Sequence, residues 1–161
     1  MNHKDQIKDL VMTVDGGLTV YIVVHNAIFQ DSATFKSFLR NLFGRGVPTS
    51  KFLEDSEQLL VLWGAIGKKI KVFQQTAYPT LSADEKYYFE ILARYAAALQ
   101  KTVAALVDRQ RLLAQRSEGG PQNPMSWEAC QQTEKLYQIA VEKYMAIGKE
   151  LNGASSIIFD E

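Results

Sequence analysis

Few side chains in this sequence offer acid–base or metal chemistry: His3 and His25, the single Cys130, and two acidic groups, Glu54, Asp55, Glu57 and Asp84, Glu85. A di-iron carboxylate bundle needs Glu-x-x-His pairs on two helices, and an oxygen-carrying bundle needs several histidines. Neither histidine here has a glutamate three residues before it. His25 has no companion motif that would make it a haem ligand. A lone cysteine excludes an intramolecular disulfide and any Cys-x-x-Cys site, and reads as a small residue on a packed helix face. Both acidic groups fall in the opening turns of expected helices, where the helix dipole favours negative charge. We therefore expect no catalytic residues, no metal ligands and no cofactor.

His25 lies beside Tyr21 and Ile28 on a mostly apolar segment. Two readings follow: a half-buried imidazole bonded to a tyrosine or a carbonyl, or a general base or pH switch at the mouth of a pocket. The tyrosines Tyr21, Tyr87, Tyr88, Tyr95, Tyr137 and Tyr144, with Trp63, read first as core. Buried hydroxyls need partners, so together they also suit a polar-tipped pocket. The pocket expected from sequence is His25, Trp63 and Tyr95.

Gly44-Arg45-Gly46 lacks the Gly-Lys-Ser/Thr of a phosphate loop and reads as a turn. Lys68, Lys69 and Lys71 form a short basic run on a solvated face. Nucleic-acid contact would need Arg109, Arg111 and Arg116 to converge with them. With 18 basic and 18 acidic residues the formal net charge is zero, which gives no overall field for nucleic acid or anionic membranes. We expect no nucleic-acid partner and no membrane span, since the longest apolar run, 59–66, is too short. The opening residues lack the apolar core of a secretion signal, and a cytoplasmic protein is expected.

The elements that must position these residues are helical. From Ser50 to Tyr78, Phe52, Leu59, Trp63, Ile66, Ile70, Phe73 and Ala77 recur in steps of three and four, with Ser56 interrupting. Leu10, Val14, Gly17, Tyr21, Val24 and Ile28 repeat that spacing in the first segment. The β-branched runs around Asp15-Gly16-Gly17 also read as a hairpin, but two strands alone would need a cover that helical neighbours do not suggest. A first helix kinked or broken near Gly16-Gly17 is expected, since two interior glycines cost about 2 kcal/mol relative to alanine. Asp31 or Ser32 caps an additional short helix through Phe35, Phe38, Leu39, Leu42 and Phe43, closed by Gly44 to Pro48.

Pro79 ends the second long helix, and Ser82-x-x-Glu85 caps the third, which reaches about Arg116. Gly64, Ala65 and Gly67 are expected to meet the alanine-rich face of that third helix. Residues 117–124 form a loop. The last helix carries Trp127, Cys130, Tyr137, Val141, Tyr144 and Leu151. Residues 154–161 read as a tail, with Ile157-Ile158-Phe159 apolar enough to dock on the bundle or on a partner.

The sequence thus specifies an all-α, antiparallel four-helix-type bundle with one additional short helix, in a single domain over 1–153 followed by the tail. The function expected is a non-enzymatic protein–protein interaction or assembly module, by self-association or with a protein partner. Leu53, Leu60, Val107 and Met145 would widen its apolar face. The alternative is a binding protein for a small apolar or aromatic ligand held between helices.

Overall fold

A computed structural model of the protein describes residues 2–29, 49–119 and 127–159. Among these residues the elements are α1 (His3–Phe29), α2 (Thr49–Thr76), a 3-10 turn (Tyr78–Thr80), α3 (Ala83–Gly119), α4 (Trp127–Gly153) and α5 (Ser156–Phe159), with no strand. The additional helix expected between the first and second long helices, its caps and its closing turn lie outside the described residues. So does the expected 117–124 loop beyond Gly119; residues 117–119 continue α3.

Cross-helix contacts fix the directions. Lys69 pairs with Asp9 at 2.8 Å, Arg111 with Glu57 at 3.0 Å, Arg109 with Glu134 at 2.5 Å and Arg94 with Glu150 at 2.6 Å. In each neighbouring pair a residue early in one helix meets one late in the next, so the four long helices form an antiparallel bundle.

The α2 seam is buried as its spacing requires: Phe52, Leu59, Trp63, Ile66, Ile70 and Phe73 all lie in the core. Ser56, which interrupts the seam, is buried too and donates to the Leu53 carbonyl at 2.9 Å. That local bond lets a hydroxyl sit in an apolar row without an unpaired proton.

The hairpin alternative for the first segment is not adopted, and α1 runs unbroken through Gly16 and Gly17. Packing of one face outweighs the glycine penalty, as is usual for helices in proteins. Gly17 shows how: a Cβ there would lie 2.5 Å from Ile66 Cδ1 and 3.2 Å from the Trp63 ring. The missing side chain lets α1 settle directly on α2.

The small faces of α2 and α3 do not meet as expected. A Cβ at Gly64 would touch nothing within 4 Å, and Ala65 is exposed. Gly67 faces Gln100 of α3, whose Oε1 would lie 3.1 Å from an added Cβ. The seam turned the larger residues inward and left Gly64 and Ala65 flanking it. Val107, expected to widen an exposed face, is buried; Leu53 and Leu60 are half-buried, and Met145 is exposed.

The α3 cap forms as read, with the Ser82 N–H donating to Glu85 Oε2 at 2.8 Å and the Glu85 N–H donating to Ser82 Oγ at 3.3 Å. His3 is the first residue of α1, and its Nε2 lies 3.2 Å from Thr80 Oγ1. At the other end, α5 folds back: Ala154 and Ile158 are buried, and Phe159 lies under Lys8 Nζ, 5.9 Å from the ring centroid.

Candidate functional site

A cluster of polar groups forms where α1, α3 and α4 meet. Tyr21 and His25, four residues apart, share the inner face of α1. Across from them on α4, the Tyr137 hydroxyl lies 2.6 Å from the Tyr21 hydroxyl and 2.6 Å from His25 Nδ1. Arg109 of α3 is 2% exposed. Its Nε donates to Glu134 Oε2 at 2.5 Å, its Nη1 donates to Gln110 Oε1 at 2.7 Å, and its guanidinium stacks 4.6 Å from the Phe29 ring centroid. A buried guanidinium is tolerable only with such partners, since an unpaired one would carry a large desolvation cost.

Electrostatics follow from this packing. Burial, reinforced by the Arg109 charge and opposed by Glu134, holds the His25 imidazole below its usual range. In the neutral tautomer that carries its proton on Nε2, His25 Nδ1 accepts from the Tyr137 hydroxyl, which in turn accepts from Tyr21. Burial also pushes the Tyr21 and Tyr137 hydroxyls above the usual tyrosine range, and Tyr95 up to about 12. Hydroxyls so shifted remain protonated near neutral pH and serve as hydrogen-bond donors.

A cavity of about 310 Å³ opens beside this cluster, lined by His25, Phe29, Glu134, Tyr137, Gln138, Val141 and Glu142. Among the described residues, His25 and Tyr95 line different cavities. Tyr95 lines a separate cavity of about 290 Å³ with Leu18, Tyr88, Gly148 and Phe159. Trp63 lines neither: it is 0% exposed, against Gly17, and its Nε1 has no acceptor among the described residues. An aromatic chain nevertheless links the other two, from His25 to Tyr21 (5.7 Å between centroids), Tyr21 to Tyr144 (5.8 Å) and Tyr144 to Tyr95 (6.2 Å).

Sequence reasoning placed His25 beside a tyrosine but did not select Arg109 or Glu134 as members of this cluster. Arg109 sits among buried Leu106, Val107 and Leu113, and that apolar flank was the signal available for its burial. Arg109, Arg111 and Lys69 each engage an acidic side chain, and Arg116 donates to the buried Cys130 Sγ at 3.3 Å. No three His, Cys, Asp or Glu side chains converge in metal-binding geometry among the described residues. No described helix is long and apolar enough to cross a membrane.

A second feature lies on the opposite side of α1. Met12, Gly16, Thr19, Val20, Val23 and Ala27 are all exposed and follow helical spacing along the outer face. From Gly16 to Phe29 the helix carries no Asp, Glu, Lys or Arg. Neighbouring α2 adds Val61, 76% exposed, and Val20 and Leu62 line one shallow depression between the two helices.

No protein-family model, no curated protein and no solved structure matches this chain.

Proposed function

We propose that the protein is a non-enzymatic helical-bundle module for protein–protein interaction or assembly, and that it docks through the outer face of α1 and α2. The observation that carries this reading is the second apolar stripe of α1. A surface helix ordinarily buries one apolar stripe and shows a polar face to water. α1 buries Leu10, Val14, Gly17 and Tyr21 and also exposes Met12, Val20 and Val23, the last to 63%. Gly16 supports the same reading. In mid-helix it costs about 1 kcal/mol relative to alanine, and no neighbour within 4 Å requires its small size. A partner backbone approaching from outside would.

The test places a photo-crosslinking benzophenone residue at Val23 in living cells, with the exposed Lys101 of α3 as control. A discrete adduct at position 23, absent at 101, supports the reading. Equal or absent adducts at both positions end it.

The cavity beside His25 favours a second reading, a site for a small apolar or aromatic ligand. Its parallel Phe29 and Tyr137 rings, 5.7 Å apart, and Val141 provide apolar walls, with His25 as a polar tip. Native mass spectrometry of the protein from its source should then show a retained ligand that Tyr137→Ala releases; an unchanged mass in both counts against it.

A further inference from the structure

The docking surface proposed above has an internal symmetry that names its occupant. On α1 the exposed stripe is arranged about a point between Thr19 and Val20. Met12 and Ala27 are equally far from that point, as are Gly16 and Val23. If α1 packs on a reversed copy of itself about this point, each large side chain meets a small one: Met12 against Ala27 and Val23 against Gly16. Such self-complementarity is what a two-fold interface demands.

The outer face of α2 repeats the arrangement with charge. Glu54, Val61 and Lys68 are exposed at seven-residue intervals, so they lie along one face of the helix. Reversal about Val61 brings Glu54 onto the partner's Lys68 and Lys68 onto the partner's Glu54, with valine on valine between them. Neither Glu54 nor Lys68 has an ion-pair partner among the described residues, whereas Lys69 is held by Asp9 and Glu57 by Arg111.

The two centres belong to the same axis. Val20 lines one depression with Leu59 and Leu62, which flank Val61, so the midpoint of the α1 stripe and Val61 stand at nearly the same height in the bundle. A single two-fold axis, perpendicular to the helices and lying in the plane of the face, satisfies both helices at once. We propose that the occupant is a second copy of this chain, and that the protein forms an antiparallel homodimer with α1 on α1 and α2 on α2, centred at Val20 and Val61. This rests on reading the α1–α2 outer face as the docking surface.

The single native cysteine, Cys130, is buried, which leaves a low background for engineered thiols. Val61→Cys places a thiol on the axis facing its own copy, and mild oxidation of that variant should give a disulfide-linked dimer. Val72→Cys, exposed on the same helix, should give none, because its two copies would stand about 33 Å apart at 1.5 Å rise per residue. Glu54→Lys or Lys68→Glu should each weaken the dimer on the order of tenfold, and the doubly reversed variant should recover it. Sedimentation measures these affinities, and circular dichroism confirms that every variant remains folded.

A monomer by light scattering at high concentration overturns the homodimer. Crosslinking at position 72 equal to that at 61, or no recovery in the charge-reversed pair, overturns this register. The photo-crosslink at Val23 separates the homodimer from the docking surface it rests on. An adduct of twice the chain mass supports the homodimer, whereas an adduct of another mass overturns it and leaves the docking surface standing.

Discussion

The Tyr137 hydroxyl ties α4 to two groups of α1, Tyr21 and His25. Tyr137→Phe removes both bonds, leaving the His25 ring nitrogen without that partner and the Tyr21 hydroxyl with Tyr144 alone. The expected cost is about 1–3 kcal/mol, measured by chemical denaturation. His25 adds a pH dependence. Its folded pKa is depressed by burial and by Arg109, so folding favours the neutral ring. That stability is fully present above the unfolded value of about 6.5 and is lost as pH falls from there through the lowered folded value. The melting temperature should therefore drop between neutral and mildly acidic pH more steeply in the native protein than in His25→Gln; parallel profiles would remove His25 from the account. The histidine–tyrosine neighbourhood on α1 was legible because four residues span one helical turn. The Tyr137 contact, 112 residues distant from His25, depends on how α1 and α4 are set against each other, which periodicity does not specify.

At the scale of the element, the two adjacent glycines of α1 have opposite roles. Gly17→Ala drives a methyl into Ile66 and Trp63 and should destabilise by about 1–3 kcal/mol. Gly16→Ala adds a methyl where nothing stands within 4 Å, and should stabilise the isolated bundle by about 1 kcal/mol. Thermal unfolding of the pair reads both signs. The seams of α2 and α3 were legible because large apolar residues recur at helical spacing and bury as a row. Small residues carry no such signal: Gly64 and Gly67 look alike in sequence, yet one faces open space and the other Gln100. Trp127 began the expected stripe of α4 but is 41% exposed, whereas Cys130, Tyr137 and Leu151 on the same stripe are buried. A stripe gives a face, and the inward limit of that face is set by where the neighbouring helix ends.

Across the whole molecule, α3 is the common support, packing against α2 and α4 along their lengths and against α1 and α5 besides. The short α5 closes one end by inserting Ile158. Ile158→Ala should cost about 2–5 kcal/mol, seen as a lowered denaturation midpoint, although the residue lies in the stretch that reads in sequence as a tail. The placement of the two tryptophans gives the fold its own spectroscopic labels. Trp63 sits dry at the α1–α2 seam, and Trp127 is partly exposed, at 41%, at the start of α4. Iodide added to the folded protein should quench the red-edge emission of Trp127 and spare the blue-shifted emission of Trp63. What remains is an optical signal for the seating of α1 on α2, which lets separation of those helices be timed independently of events at the far side of the bundle.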